Sequence, residues 1–196
     1  DEPGLRRFAR LCVRQGVTTA TDLANLLPLD AVTMMRRVTD EPTFPVRVIS
    51  FRRFQGVTPQ QAVDHVVDLR DHSTEMLRLG AIKLFVDGSI QGFSARLRWP
   101  GYYNGAPNGL WYVTPEELQT TLELALQAGI QVHTHTNGDE ATDLMLDCLE
   151  AALAKHPARD HRFTLQHGQL ANAAPFRRLQ ALGMFVNLFA NHVFYL

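Results

Sequence analysis

Twice in this chain a threonine–proline pair opens an amphipathic helix, and each time a glycine and an apolar strand follow. Thr58-Pro59-Gln60-Gln61 and Thr114-Pro115-Glu116-Glu117 share one logic. The threonine is the N-cap, the proline fills the first helical position, and the fourth residue completes a capping box. The same helix-then-strand unit recurs along the whole chain. Helical patterns run over Gly4 to Gly16, Leu29 to Val38, Thr58 to about Gly80, Thr114 to Gly129, Ala141 to Leu153 and Asn172 to Gly183. Between them lie β-branched or apolar strand patterns at Val17 to Asp22, Pro45 to Phe51, Ala81 to Asp87, from Gln131 onward, Arg162 to Gln169 and Met184 to Phe189. Six strands alternating with helices predict a parallel sheet in one α/β domain, residues 1–196. No GxGxxG follows the first strand and no GxxxxGK[ST] is present, so the dinucleotide and P-loop signatures are missing.

The net charge of −1 gives no broad basic surface, so nucleic acid is not an expected partner. No apolar run is long enough to cross a membrane. Cys12 and Cys148 are far apart, and Cys148 falls on the apolar stripe of a helix. They give no disulfide framework and fit a reducing, cytoplasmic compartment; a periplasmic or secreted parent stays open. The chain opens abruptly on Asp-Glu-Pro-Gly and stops at Val-Phe-Tyr-Leu inside an apolar run, as an excised piece of a longer protein would.

Three strand ends carry the chemistry. Lys83 lies in AIKLFVDGS, His133 and His135 in QVHTHTNGDEA, and His167 in FTLQHGQ. Alternation puts Lys83, Phe85 and Asp87 on one face of their strand and Ile82, Leu84 and Val86 on the other, where helices pack. A buried lysine has to be paired, neutralised or modified. Three readings of Lys83 stand side by side: an ion pair with Asp87 or another acid that fills a layer, a Schiff-base nucleophile, or a carboxylated lysine serving as an oxygen ligand to metals. His133 and His135 also share a face; His135, nearer the strand end, is the expected ligand, and His133 a deeper structural residue. Neutral imidazoles with a carboxylate-like partner suit Zn2+ and similar divalent ions. Asp139 is expected to cap the helix after Asn137-Gly138. His65, His72, His156 and His161 are expected to be solvated. Site residues at three different strand ends are what a (β/α)8 barrel would place together, and such a barrel needs roughly 250 residues. Six βα units are therefore expected to form a partial TIM barrel. The irregular stretch from Gly88 to about Trp111 is long enough to be functional. Its Trp99, Tyr103 and Trp111, with Asn191 and His192 after the last strand, are the candidate substrate-binding residues.

At these residues the chain resembles the amidohydrolase superfamily, and within it the YtcJ-like branch that includes N-substituted formamide deformylases and exoenzyme regulatory proteins. The carrying motifs are KLFVDGS with SARL downstream, GLWYVTPEEL, VHTHTNGDEATDLMLDCLEAA, and FTLQHGQL followed by FANHVFY, in the family's order across essentially the whole chain. The resemblance implies a (β/α)8 barrel with one or two divalent metals, commonly zinc. Lys83 matches the lysine that can be carboxylated after the fourth barrel strand. His135 matches the ligand after the fifth, in the His-x-x-Gly-Asp pattern, and His167 the ligand after the sixth. The chain would then run from the second barrel strand to the seventh. The first strand's HxH would lie before Asp1, and the eighth strand's aspartate after Leu196.

The expected function is that of a central piece of a metal-dependent hydrolase, acting on non-peptide carbon–nitrogen bonds of small amide or formamide substrates. Lys83, His135 and His167 are its candidate catalytic and metal-binding residues, and the piece alone is expected to be inactive. Two alternatives remain: a Schiff-base aldolase or lyase using Lys83, and a regulatory or binding barrel without chemistry. The open sheet edges favour pairing between copies.

Overall fold

The structure is a computed structural model that describes residues 1–195; the side chains of Val193 and Tyr195 lie outside the description. It holds β1 (Thr19–Asn25), β2 (Arg47–Arg53), β3 (Leu77–Arg78), β4 (Ala81–Phe85), β5 (Gln131–Thr136), β6 (Thr164–His167) and β7 (Phe185–Asn187) in one sheet. The order is β1-β2-β4-β5-β6-β7, with β3 paired to β2, and every pairing is parallel. The helices are α1 (Glu2–Arg14), α2 (Leu29–Thr39), α3 (Pro59–Arg70), α4 (Pro115–Gln127), α5 (Asp139–Lys155), α6 (Ala173–Ala181) and α7 (Asn191–Tyr195). This is the partial TIM barrel expected from the strand–helix alternation, with β1 and β7 as its open edges.

Local chemistry sets the helix starts. Thr58 Oγ1 accepts the Gln61 N–H at 3.3 Å and Gln61 returns to the Thr58 N–H at 3.0 Å. Thr114 and Glu117 do the same at 3.1 and 3.0 Å. Each box satisfies two N–H groups that a helix start leaves free. One predicted end was wrong. The helix from Thr58 stops at Arg70, ten residues short of Gly80. Side-chain oxygens capture the backbone there: Thr74 Oγ1 accepts from Met76 and Leu77, and Ser73 Oγ from Leu79. Short hydroxyl side chains compete with helix in this way, and Leu77–Arg78 are released to join the sheet beside Val48–Ile49.

Apolar burial then fixes which face of the sheet is which. Ile82, Leu84, Val86, Val132 and Leu165 point to the helices and pack with Val66, Leu118, Leu122, Met145 and Leu149 in the main core. Each such side chain contributes about 1.5–3 kcal/mol when fully buried. Cys148 belongs to this core, as its helical position predicted. A second core joins α1 and α2 to β2 through Cys12, Val32, Val38 and Val48. The opposite face is the barrel interior, and it is polar: Lys83 pairs in register with His133, and Phe85 with His135.

Candidate active site at the carboxyl ends of the strands

His133 and His135 share the inner face of β5 but occupy different layers. Deeper in, the His133 ring lies 4.3 Å from the Phe51 ring. Its Nδ1 is 2.8 Å from Gln166 Nε2 and its Nε2 is 3.0 Å from the Gln131 amide. Gln166 Oε1 accepts from Asn187 Nδ2 at 2.8 Å, which fixes that amide and makes it the donor to His133 Nδ1. His133 therefore carries its proton on Nε2 and needs the Gln131 oxygen facing it. Burial holds the His133 pKa down at about 4, so the ring stays neutral.

One layer up, the His135 ring meets Phe85 at 5.3 Å and His167 at 4.8 Å. Its Nε2 is 3.0 Å from the Gly88 carbonyl and donates to it, which leaves the lone pair on Nδ1. Burial lowers the pKa of His135 to about 4, with Lys83 and His167 nearby adding to the fall. His167 is lowered for the same first reason, burial. Both rings are neutral at pH 7, the state a metal ligand requires.

His167 reaches this layer through a backbone exception. It pairs in register with Thr136, whose hydroxyl meets Thr142 on α5. Strict alternation would send both side chains to the helices. His167 instead has φ 75°, a left-handed conformation rare for a residue other than glycine. That breaks the alternation and brings its ring to His135. Such strain gathers at functional sites.

Lys83 is 3% exposed. Its Nζ lies 3.2 Å from the Leu84 carbonyl and 4.6 Å from the Phe85 ring centre. Burial pushes its pKa down to about 7. The ion pair with Asp87 does not form, because Asp87 is committed elsewhere. Its carboxylate accepts the backbone N–H groups of Asn137 (2.9 Å), Gly138 (2.8 Å) and Arg96 (3.0 Å). Burial pushes the Asp87 pKa up to about 6 against the pull of those three bonds. Asp87 thus ties the end of β4 to the start of α5 and to the loop between β4 and α4. Sequence reading missed this role, since its partners lie 9 to 51 residues away.

The same loop decides the other assignments. Gly138, not Asp139, is the N-cap of α5. A Cβ at Gly138 would stand 1.8 Å from the Arg96 carbonyl oxygen, so the loop crosses where only glycine fits. Asp139, one position later, accepts from Arg98 N at 2.9 Å. Arg96 forks onto Glu140 through two 3.0 Å bonds and lies 4.7 Å over the Trp111 ring. Trp111 packs against the main core. Trp99 (94% exposed) and Tyr103 stand in solvent, away from the residues around His135. His192 on α7 is 6.0 Å from His167 ring to ring, while Asn191 is exposed. His65 and His161 are half-buried and hydrogen-bonded, less free than expected: Arg52 Nε donates to His65 Nδ1 at 3.1 Å, and His161 Nε2 bonds the Leu182 carbonyl at 2.8 Å.

A cleft of about 830 Å³ opens beside His135, walled by Phe54, Val57, Phe85, Asp87 and Tyr112, with Arg53 at its rim. The donor set fits a divalent ion in kind: two neutral imidazoles and a buried amine. It does not fit in number, because no group of three His, Cys, Asp or Glu that could hold an ion occurs among the described residues. No helix among them is long and apolar enough to cross a membrane.

Alternating βα units with a polar inner face and a histidine pair toward the carboxyl ends of the strands define a partial (β/α) barrel with its candidate site where such barrels carry their chemistry. The sequence matches the amidohydrolase family over residues 1–196, and the chain belongs to that family. It is 30% identical to Protein LONG AFTER FAR-RED 3 of Arabidopsis thaliana, over 84% of this chain and 29% of that protein. It is 31% identical to Bacillus subtilis (strain 168) YtcJ, itself only provisionally assigned as an amidohydrolase, over 58% of this chain and 20% of that protein. The chain thus spans less than a third of the curated relatives it matches. An uncharacterized metal-dependent hydrolase from Pyrococcus furiosus superposes with a TM-score of 0.71 at 20% identity, covering 93% of this chain and 36% of that one.

Proposed function

We propose that this chain is the central part of a metal-dependent hydrolase that cleaves non-peptide carbon–nitrogen bonds of amide or formamide type. The observation that carries the reading is the ring contact of His135 with His167 on the adjacent strands β5 and β6, beside the buried Lys83 of β4, whose charge reaches both rings. Lys83, His135 and His167 are the residues that would hold the ion, with further ligands supplied by the longer protein. A bound divalent ion supplies a water-derived nucleophile at neutral pH and polarises a carbonyl oxygen. The chain's own residues hold that arrangement. The Gly88 carbonyl fixes the His135 tautomer, leaving Nδ1 as the ligand nitrogen. Burial brings the Lys83 pKa down to about 7, so a substantial share of the amine is neutral at neutral pH, the form that reacts with CO2 to give a carboxylate-bearing ligand. Asp87 anchors Asn137 and the crossing loop, which keeps His135 in place. The 196 residues alone are proposed to be inactive, as their ligand set is incomplete.

The test is metal content of the full-length protein beside its Lys83→Ala variant, followed by a screen of small formamides and amides. One or two equivalents of a zinc-like metal, reduced by the substitution, with hydrolysis in the screen, are the expected results. No metal after reconstitution would sink the reading. A Schiff-base mechanism is favoured by one observation, the buried amine with its pKa near 7. Borohydride trapping of a carbonyl compound on Lys83 in metal-free protein would support it. We further propose that the isolated chain pairs through the β1 and β7 edges; a concentration-independent monomer in sedimentation would end that idea.

A further inference from the structure

The cleft beside His135 carries a cation that the reaction described above does not use. Arg53 closes β2 and pairs in register with Lys83. Its guanidinium carbon lies 5.1 Å from the centre of the Phe85 ring, and Lys83 Nζ lies 4.6 Å from the same point. Arg53 Nε is buried without a hydrogen-bond partner. No carboxylate lies within ion-pair distance of Arg53 among the described residues, although two acids line the same cleft. Asp87 is taken by three backbone N–H groups, and Glu117 is taken by the Thr114 capping box. A guanidinium presents a planar fork that matches a carboxylate with two parallel bonds, and it is weakly hydrated enough to do so at a half-buried site. Of the remaining walls, Phe54, Val57 and Tyr112 are apolar or aromatic, while Gln55, Ser89 and Ser94 are polar.

We infer that Arg53 is a specificity-determining residue: it receives the carboxylate of an amide substrate whose apolar portion lies against Phe54, Val57 and Tyr112 while the scissile bond faces His135. The substrate class is therefore N-acyl or N-formyl compounds that also carry a carboxylate. This rests on the hydrolase reading for the scissile bond, but the anion subsite itself does not require hydrolysis.

Both parts are separable in the full-length, metal-loaded protein with Arg53→Gln and Arg53→Lys. Binding of phenylacetate and of its neutral isostere phenylacetamide is measured by calorimetry. Hydrolysis is measured on N-formylphenylalanine and N-formylphenylalaninamide. Arg53→Gln should weaken phenylacetate by about ten- to a hundredfold, the range of a hydrogen bond to a charged group, and leave phenylacetamide unchanged. Arg53→Lys should fall between, because it keeps the charge and loses the fork. The kcat/KM for the acid substrate should fall by the same factor, and that for the amide substrate should not. Equal weakening of acid and amide ligands, or no weakening of either, overturns the subsite. Unchanged phenylacetamide binding reports an intact fold. Selective carboxylate binding without hydrolysis of either substrate keeps the subsite and counts against the hydrolase reading.

Discussion

His133 and His135 stand two residues apart on the same face of one strand, yet they belong to different kinds of environment. Around His133 the polar groups close on one another: Gln131, His133, Gln166 and Asn187 bond in a chain across three strands, with Phe51 against the ring. Around His135 they do not close. Nδ1 keeps its lone pair, Arg53 Nε and Asn137 Oδ1 are buried without partners, and His167 is held in a left-handed conformation. A closed buried network specifies structure. An open one, with unspent donors and backbone strain beside a cleft, leaves capacity for a ligand. The same residue type is therefore a strut in one layer and a candidate ligand in the next.

The largest effect expected from this contrast falls on the upper layer. In the full-length protein, His135→Asn should lower activity by about a hundredfold or more and reduce bound metal, with the melting temperature little changed. Metal analysis and kcat/KM on one preparation check both halves. If activity survives, the upper layer is not the reactive one. Asp87→Asn comes next. An amide cannot accept at both oxygens, so at least one of the three N–H groups now bonded to Asp87 would face an NH2 group. The expected loss is about 2–4 kcal/mol of stability by urea unfolding, larger than that for any change in the lower layer. His133→Phe sharpens the comparison from below. It keeps the ring against Phe51 but strands the Gln131 and Gln166 amides. The expected cost is about 1–3 kcal/mol, with metal content unchanged.

The sequence disclosed what is local and periodic. Capping boxes act over three residues, so Thr58 and Thr114 could be placed from their neighbours alone. Period-two alternation placed Lys83 with Phe85, and His133 with His135, on the inner face, and the register of β4 with β5 agrees. What escaped depends on distance or on a broken rule. Asp87 reads as an acid two positions from an aromatic, with nothing to show that its partners are Asn137, Gly138 and Arg96. His167 has the wrong parity for the inner face, and only its φ of 75° corrects this. Arg53 had no signal at all, because a free guanidinium is defined by what surrounds it. The aromatic loop is only partly at the cleft, which its Gly88, Ser89 and Ser94 line. Its length marked it as functional, but Arg96, Arg98 and Asn108 bind it down onto α5 and leave Trp99 and Tyr103 outside the cleft.

A third histidine, on the outer side of the sheet, gives the smallest expected effect and a control for both layers. His65 on α3 accepts from Arg52, a buried arginine facing the helices instead of the barrel interior. Burial first, and the Arg52 charge second, lower the His65 pKa below its ordinary 6.5. The sign follows from linkage. In the unfolded chain His65 takes up its proton near 6.5; in the fold it resists. As pH falls below 6.5 the unfolded state holds more protons, and stability is lost until the folded pKa is passed. His65→Gln keeps an acceptor oxygen for Arg52 and removes the titration. Urea unfolding between about pH 5 and 8 should therefore show a flatter acid limb in the variant, with activity at neutral pH unaffected. An identical acid limb would place the proton uptake on other groups and leave the Arg52–His65 bond a neutral contact. An activity change at neutral pH would instead show that the outer layer feeds into the reactive one, and the division between the two layers around β5 would then be too sharp.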